Sequence, residues 1–176
     1  HPLSGPASSD ALAIAAVLAQ PFVDVVLSGA ATEPHLRSNV GAVVVTSDEE
    51  VAEDLRATAP DRVRVVPDGG TGLGGAVRRG VLAAHADRPG TAVCVVPADL
   101  PCLRPGDVDR VLASAGAHRG AFVPDLSRTG TTLLVLPPDH AVTVRYGPGS
   151  AKRHAAAGLV PLPDVPRRAR QDVDTL

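Results

Sequence analysis

Short apolar runs alternate with polar turns along the chain and predict the strands of a β-sheet. The run Ala92–Val96 holds four aliphatic residues and one cysteine without period-2 alternation, which is typical of a strand buried on both faces. The run Arg62–Val66 alternates polar and apolar positions, so we expect a strand with one exposed face. Three further runs predict strands: Ala42–Val45, Ala121–Pro124 and Thr131–Leu136.

Helices are predicted between these strands from capping residues, prolines and helix-forming residues. They begin near Asp10, at Ser47 or Asp48, after the glycine-rich stretch 69–75, at Pro105 and near Ala151, with Gly158 ending the last one. The run Phe22–Leu27 is compatible with either helix or strand. This alternation predicts a single α/β domain over residues 1–176, with three layers and a mostly parallel sheet that becomes mixed near residues 121–136.

The composition excludes several classes of function. Aromatic residues make up 2% of the chain, too few for the stacking platforms that bind single-stranded nucleic acid. The 17 Lys and Arg against 19 Asp and Glu leave no basic field for a polyanion. No apolar run reaches membrane-spanning length, and Cys94 and Cys102 form no metal-binding spacing. We therefore expect a cytoplasmic monomer or homodimer without nucleic-acid or membrane partners.

Three acidic residues predict a metal site. Asp99 follows the buried strand at 92–96 and lies between two prolines that cannot extend a central ladder. In open α/β sheets, ligands bind beside the carboxyl ends of the strands. Asp172 and Asp174 are two residues apart, so on an extended segment their side chains point the same way. Carboxylates from separate segments suit Mg²⁺, a hard cation. The alternatives are a turn aspartate and a solvated acidic tail.

Gly70, Gly72 and Gly74 lie in a loop that follows the strand at 62–66 and opens a helix. The stretch 70–75 satisfies G-x-G-x-x-G, and Asp99 stands roughly where a ribose-binding acid would. This fingerprint favours an NAD(P)-binding oxidoreductase, although three residues separate the strand from the motif. A flexible loop is the structural alternative. Both functional interpretations share an anion bound at backbone N–H groups and a helix N-terminus.

A second glycine-containing loop runs from Arg145 to Ser150 and leads into a short helix. Its glycines expose backbone N–H groups, and Ser150 can cap the helix and donate to an anion. Residues 152–154, Lys-Arg-His, place positive charge in the first turn, where the helix dipole disfavours it, and this favours a bound anion. A solvated basic turn is the alternative. The hydroxyls at 129–132 are by themselves typical of a turn.

Together these segments resemble the CofC-type guanylyltransferases of deazaflavin coenzyme (coenzyme F-420) biosynthesis, relatives of the molybdenum-cofactor nucleotidyltransferases. The matching stretches are VVTSDEEV, DGGTGLGGAV, VVPADLPCL, TGTTLLV, RYGPGSAKRH and DVDT, in the family's order and at about its spacing. Asp-Leu-Pro and Asp-Val-Asp-Thr occur across many nucleotidyltransferases. Arg-Tyr-Gly-Pro-Gly-Ser followed by His narrows the resemblance to this family.

The resemblance implies a GT-A-like nucleotidyltransferase fold. It also implies Mg²⁺-dependent transfer of GMP from GTP to phosphoenolpyruvate or 2-phospho-L-lactate, with release of pyrophosphate. The implied catalytic residues are the metal ligands Asp99 and Asp172, with Asp174 as a further ligand. The implied acceptor-binding residues are Thr131, Gly147 and Ser150, and the implied nucleotide-binding residues are Gly70, Gly72 and Gly74.

The chain departs from the family pattern at three places. The family begins with a strand and a basic loop that grips the triphosphate, and this chain starts just after that position. The family often has Asn where Gly74 stands, and the chain stops at Leu176, before a helix that normally follows. We therefore expect native sequence beyond both ends. An NAD(P)-binding oxidoreductase and a non-catalytic nucleotide-binding domain remain the alternative functions.

Overall fold

A computed structural model of the chain describes residues 25–28, 42–58, 63–100, 102–138 and 144–172. The strands over these ranges are β1 Val25–Ser28, β2 Ala42–Thr46, β3 Val63–Pro67, β4 Val93–Pro97, β5 Ala121–Pro124, β6 Thr131–Leu136 and β7 Val160–Pro161. The helices are α1 Glu49–Thr58, α2 Gly72–Asp87, α3 Pro105–Ala115 and α4 Ser150–Ala156, followed by a 3₁₀ helix at Arg167–Arg170.

The seven described strands form one mixed sheet in the order β3-β2-β1-β4-β6-β5-β7. β4 lies at the centre and pairs antiparallel with both β1 and β6. β1 is also antiparallel to β2, and β6 to β5, while β2–β3 and β5–β7 are parallel pairs. Only β1 and β6 are therefore reversed, and the other five strands run in one direction. This confirms the predicted mixed sheet, in which five of the seven described strands share one direction while four of the six neighbouring pairs are antiparallel.

Helices cover both faces of the sheet and make three layers. All five residues of β4 are buried, as its unbroken apolar sequence predicts. Alternate residues enter two separate cores because successive side chains of a strand point to opposite faces. Val93 and Val95 pack with α2 and α4 in what we call the α2 cluster. Cys94 and Val96 pack with α3 in the α3 cluster.

Local sequence signals explain the element boundaries. Asp48 accepts a hydrogen bond from the backbone N–H of Glu50 at 2.9 Å and caps α1, as predicted. β3 is an edge strand in which Arg64 is exposed, in agreement with its alternating pattern. The ambiguous run Phe22–Leu27 overlaps β1, a strand. The helix predicted from Asp10 lies outside the described residues. None of the helices that the structure describes is long and apolar enough to cross a bilayer.

The C-terminal segment is fastened across the ends of β5 and β6. The Thr132 hydroxyl donates to the carbonyl of Ala169 at 2.6 Å. The Arg170 guanidinium donates to the carbonyls of Pro124 and Asp125 at 3.1 and 2.9 Å. These bonds carry the chain to the sheet edge at which β5 ends and β6 begins.

A buried ion pair fastens the 3₁₀ helix to α3. Arg168 Nε and Nη2 donate to the two carboxylate oxygens of Asp107 at 2.9 and 3.0 Å. The side chain of Asp107 is only 3% exposed, and this paired geometry lowers its pKa. The 3₁₀ helix is thus bonded both to the sheet and to α3.

Candidate functional site

The predicted site residues lie along one edge of the sheet. β2, β3, β4 and β5 all end at this edge, and the reversed strand β6 begins there. Asp99 follows β4, the glycine loop follows β3, and Thr131 opens β6. The carboxyl ends of strands are where α/β sheets bind ligands, because the loops there are free to vary. The topology therefore brings together segments that are far apart in the sequence.

Asp99 is exposed at this edge and lies near the loop that precedes α4. Burial is the main cause that raises the pKa of Tyr146, and the charges of Cys94 and Asp99 raise it further. The Tyr146 hydroxyl is buried and has no hydrogen-bond partner among the described residues. Asp99 is thus within electrostatic reach of the Arg145–Ser150 loop.

Asp172 reaches the same edge from the other face of the sheet. It is half-buried and follows Arg170, whose bonds to the end of β5 fix the preceding backbone. Because β6 lies between β5 and β4, one strand separates the end of β5, where Arg170 is held, from the strand that Asp99 follows. Within the described ranges, no three His, Cys, Asp or Glu side chains are grouped closely enough to hold a metal ion. Asp174 lies outside the described residues.

Thr131, Ser150 and His154 form a hydrogen-bonded cluster beside Asp99's edge of the sheet. The Ser150 hydroxyl donates to Thr131 Oγ1 at 3.2 Å, and Thr131 Oγ1 lies 2.9 Å from His154 Nδ1. The backbone N–H of Arg145 donates to His154 Nε2 at 3.1 Å. Ser150 is 1% exposed and His154 is fully buried. The predicted residues Thr131 and Ser150 are thus in direct contact.

His154 is neutral near pH 7. Burial, and after it the neighbouring charge of Arg153, lowers its pKa from the ordinary value of 6.5 to about 4. Its ring lies 5.8 Å from that of Phe122 and meets Tyr146 edge-on at 5.7 Å. These contacts seat the imidazole rigidly between the sheet and the Arg145–Ser150 loop.

Arg153 shapes the Arg145–Ser150 loop from within. Its guanidinium donates to four successive carbonyls, those of residues 145 to 148, at 2.6 to 3.2 Å. Gly147 and Gly149 have φ values of 99° and 73°, which other residues rarely adopt. The prediction that residues 152–154 signal a bound anion is therefore wrong in its reason. The Arg153 guanidinium is already bonded to backbone carbonyls, and His154 is uncharged.

A β-bulge directs Thr131 toward His154. In the regular part of β6, Leu134 belongs to the α2 cluster and Leu133 to the α3 cluster. Strict alternation would place Thr131 on the α3 side. The pairing with β5 shifts at Val123/Pro124, so that Leu133 faces Val123 but Thr131 faces Pro124. Thr132 is the extra residue, and the bulge brings Thr131 to the α4 side.

Asp125 holds the turn between β5 and β6. Its carboxylate accepts from the backbone N–H groups of Thr129 and Gly130, both at 2.9 Å, and from the Ser127 hydroxyl. A Cβ at Gly130 would lie 2.6 Å from the carboxylate, so a side chain there would displace Asp125. The backbone carbonyl of Thr129 in turn accepts from the N–H of Ala151 at 3.1 Å. The turn therefore docks the start of α4 against the start of β6.

The glycine loop lies after β3, at the side of this cluster. Gly70 and Gly72 have φ values of 66° and 73° and are exposed, with open space where a Cβ would stand. The N–H of Gly70 donates to the carboxylate of Asp68 at 2.6 Å, so this amide is already occupied. A Cβ at Gly74 would lie 3.9 Å from the carbonyl of Val144. The helix α2 begins at Gly72, so Gly72 and Gly74 lie in its first turn and not in the predicted loop, and this turn adjoins the segment that leads to Arg145.

The sheet order argues against the dinucleotide fingerprint. β3 is an edge strand, and β2 and β1 separate it from β4. Three strand spacings of about 4.8 Å put the ends of β3 and β4 roughly 14 Å apart. A ribose-binding acid belongs on the strand next to the glycine loop. Asp99 instead lies within electrostatic reach of Tyr146 in the Arg145–Ser150 loop.

Sequence reasoning missed the structural roles of three residues. Asp125 and Arg153 act on backbone groups of their own loops, and His154 acts on Thr131 across 23 positions. The first could have been recognised from Asp-x-Ser in a tight turn, a pattern in which side chains bind nearby N–H groups. The other two carry no local signal, because their partners are set by tertiary packing.

Comparisons with known proteins agree with this geometry. A sequence model of the MobA-like NTP transferase domain matches residues 13–157. The phosphoenolpyruvate guanylyltransferase of Streptomyces scabiei (strain 87.22) is 44% identical over 138 residues, which cover 77% of this chain and 64% of that protein. The one from Geodermatophilus obscurus is 36% identical over 174 residues, covering 98% of this chain and 74% of that protein.

A solved structure with the same fold is a nucleotide-diphospho-sugar transferase from Desulfovibrio desulfuricans G20, with a TM-score of 0.50 and 16% identity. The alignment covers 68% of this chain and 56% of that one. This likeness confirms the predicted nucleotidyltransferase fold.

The resemblance to guanylyltransferases that the motifs indicated is confirmed by the relatives' names and identities. The chain spans less than two thirds of the length of the Streptomyces relatives that it matches, 64% and 62%. The matched domain nevertheless covers residues 13–157, most of the 176-residue chain. The chain therefore belongs to the MobA-like NTP transferase domain family.

Proposed function

We propose that this protein transfers GMP from GTP to phosphoenolpyruvate and releases pyrophosphate. Phosphoenolpyruvate is preferred to 2-phospho-L-lactate as the acceptor because the relatives are named for it. The reaction would belong to deazaflavin coenzyme biosynthesis in the cytoplasm, carried out by a monomer or homodimer. The oxidoreductase alternative has no comparable support, since Asp99 is remote from the glycine loop.

The Thr131–Ser150 pair carries the proposal. Two hydroxyl groups 3.2 Å apart stand at the ligand-binding edge of the sheet, next to a glycine-containing loop with exposed backbone. Hydroxyls and loop N–H groups are the donors that hold a carboxylate without adding net charge. The acceptor carries a carboxylate and a phosphate; the Thr131 hydroxyl would donate to the carboxylate, and Ser150 would support Thr131 by donating to it. Gly147 would contribute its backbone N–H. Its φ of 99° is a conformation that residues with a side chain rarely adopt.

The carboxylates at this edge fit Mg²⁺. Asp99 and Asp172 supply hard oxygen ligands from two segments, and Mg²⁺ is commonly held by one or two carboxylates together with substrate phosphates and water. Among the described residues no group of three possible protein ligands is present, and Mg²⁺ held by only one or two carboxylates does not need one. Asp174 is the candidate for a further ligand. When bound, Mg²⁺ would offset the repulsion between the two anionic substrates.

The chemistry requires positioning more than proton transfer. An oxygen of the acceptor phosphate forms a bond to the α-phosphorus of GTP, while the bond from that phosphorus to the bridging oxygen breaks and pyrophosphate leaves with the electron pair. The attacking phosphate is already an anion at pH 7, so no general base is needed. Thr131 and Ser150 would fix the acceptor, and the glycine loop at Gly70, Gly72 and Gly74 would lie against the nucleotide. Such alignment supplies much of the rate enhancement in phosphoryl transfer.

Pyrophosphate release tests the proposal. We would assay the full-length protein with GTP and Mg²⁺, with each acceptor in turn, and with EDTA in place of the metal. Asp99→Asn should lose at least about a hundredfold in turnover, as is usual when a charge-stabilising group is removed. Asp87→Asn, at an exposed carboxylate at the end of α2 that pairs with Arg64 near the start of β3, is the matched control and should be unaffected.

Each component of the proposal can fail separately. Turnover that survives both EDTA and Asp99→Asn would refute the metal site. Ser150→Ala should raise the KM for the acceptor and leave the KM for GTP unchanged; an unchanged acceptor KM would remove Ser150 from the acceptor site. If no pyrophosphate appears with either acceptor, the non-catalytic nucleotide-binding domain becomes the better explanation.

A further inference from the structure

We propose that His154 is a positioning residue that fixes the direction in which the Thr131 hydroxyl donates its proton. The inference rests on the proposed function, because the group that would receive this proton is the acceptor carboxylate. It goes beyond that function in assigning a role to a fully buried side chain that cannot itself touch the substrate.

The hydrogen bonds determine which nitrogen of His154 carries the proton. The backbone N–H of Arg145 points at Nε2 from 3.1 Å, and an amide N–H can only donate. Nε2 must therefore be the unprotonated acceptor. A neutral imidazole then has its proton on Nδ1, which faces Thr131 Oγ1 at 2.9 Å. His154 is consequently the donor in its bond to Thr131.

Thr131 Oγ1 thus receives two hydrogen bonds. The Ser150 hydroxyl donates to it at 3.2 Å from one side, and His154 Nδ1–H donates from the other. Both lone pairs of the oxygen are used, so the Thr131 proton cannot return to either neighbour. It must point away from the buried cluster, toward the sheet edge where the substrates would bind.

Packing keeps this arrangement from reversing. The His154 ring is enclosed by Phe122 and Tyr146, at centroid distances of 5.8 and 5.7 Å. A flip of the ring would bring carbon atoms to Arg145 and Thr131 and leave a buried N–H unsatisfied, which is costly. His154 therefore presets the Thr131 donor before the acceptor arrives, and such preorganisation lowers the cost of binding.

Two amide variants of His154 distinguish the positioning of the Thr131 hydroxyl from a purely structural packing role. In His154→Asn the side-chain amide nitrogen takes the position of Nδ1 and can still donate to Thr131. In His154→Gln the amide group takes the position of Nε2, so it can accept from Arg145 but does not reach Thr131. Both leave a similar void beside Phe122.

We expect His154→Gln to raise the acceptor KM about tenfold, because the Thr131 hydroxyl would no longer be fixed as a donor to the charged carboxylate. The KM for GTP should stay unchanged. His154→Asn should stay within about threefold of the natural protein on the same scale. In a Thr131→Val background the difference between the two variants should vanish, since the hydroxyl through which His154 acts is absent.

Equal acceptor KM values for the Asn and Gln variants would overturn the proposal. A second measurement does not depend on turnover: ¹⁵N-resolved NMR of the histidine ring in the full-length protein reports its tautomer, which should be Nδ1–H. A proton on Nε2 would also overturn it. If the natural protein releases no pyrophosphate, the proposed function fails, and the tautomer then decides the role of His154 by itself.

Discussion

The buried His154 should make the protein less stable as the pH falls below 6.5. Its side chain is fully buried, and burial together with the charge of Arg153 lowers its pKa from 6.5 to about 4. Above pH 6.5 the imidazole is neutral in both the folded and the unfolded chain, so it adds no pH dependence. Between pH 6.5 and 4 only the unfolded chain binds the proton, and this binding favours unfolding.

The size of the effect follows from the two pKa values. A difference of 2.5 pKa units corresponds to about 3 kcal/mol of unfolding free energy below pH 4, and about 2 kcal/mol of that loss should be present at pH 5. We would measure urea unfolding at pH 7 and pH 5 for the natural protein and for His154→Asn. The loss between the two pH values should be about 2 kcal/mol smaller in the variant.

The variant is the control for every other titrating group, because those groups are common to both proteins. Equal losses in the natural protein and in His154→Asn would refute the reasoning. Such a result would mean that the imidazole accepts a proton inside the fold, and that the bond from Arg145 to Nε2 does not hold it neutral.

Three further predictions concern other buried groups. Asp107→Asn should lower the thermal midpoint by roughly 3–6 °C by weakening the clamp from Arg168. Because Arg168 lowers the pKa of Asp107, the deficit should be present above pH 3.8 and should shrink as the pH falls through the lowered value; a deficit that persists in acid would contradict the ion pair. Cys94 is buried, and burial raises the pKa of its thiol to about 12. A thiol reagent should therefore modify only the exposed Cys102 until the protein unfolds. Two fast-reacting thiols in the native protein would contradict this prediction. Tyr146→Phe should leave the midpoint unchanged or higher, because the hydroxyl it removes has no partner among the described residues; a drop of several degrees would indicate a bond from elsewhere.

Much of the fold followed from the order of apolar residues. The unbroken run Ala92–Val96 predicted a central buried strand, and the alternating run Arg62–Val66 predicted a strand with one exposed face, which the structure places at the edge of the sheet. These patterns are informative because a strand must bury whatever face it makes apolar. The run Phe22–Leu27 stayed ambiguous, since short apolar runs do not distinguish strand from helix by periodicity.

The sequence named candidate residues for the site but not the contacts between them. Asp99, Thr131 and Ser150 were identified from their motifs, and the structure gathers them at one sheet edge. The dinucleotide interpretation of Gly70–Gly75 could not be judged from the sequence, because it depends on whether β3 and β4 are neighbours. The charge of residues 152–154 suggested an anion, whereas the fold turns Arg153 onto four carbonyls.

The sequence by itself determined five of the seven described strands, the four described α-helices and the residue types available at the site, because hydrophobic periodicity and turn chemistry act over a few residues. Only the tertiary structure decided which way Thr131 points. Strict alternation along β6 would put it on the α3 side, and a single extra residue at Thr132 brings it instead to His154. A bulge depends on the register between two strands, and that register is set by packing across the whole sheet.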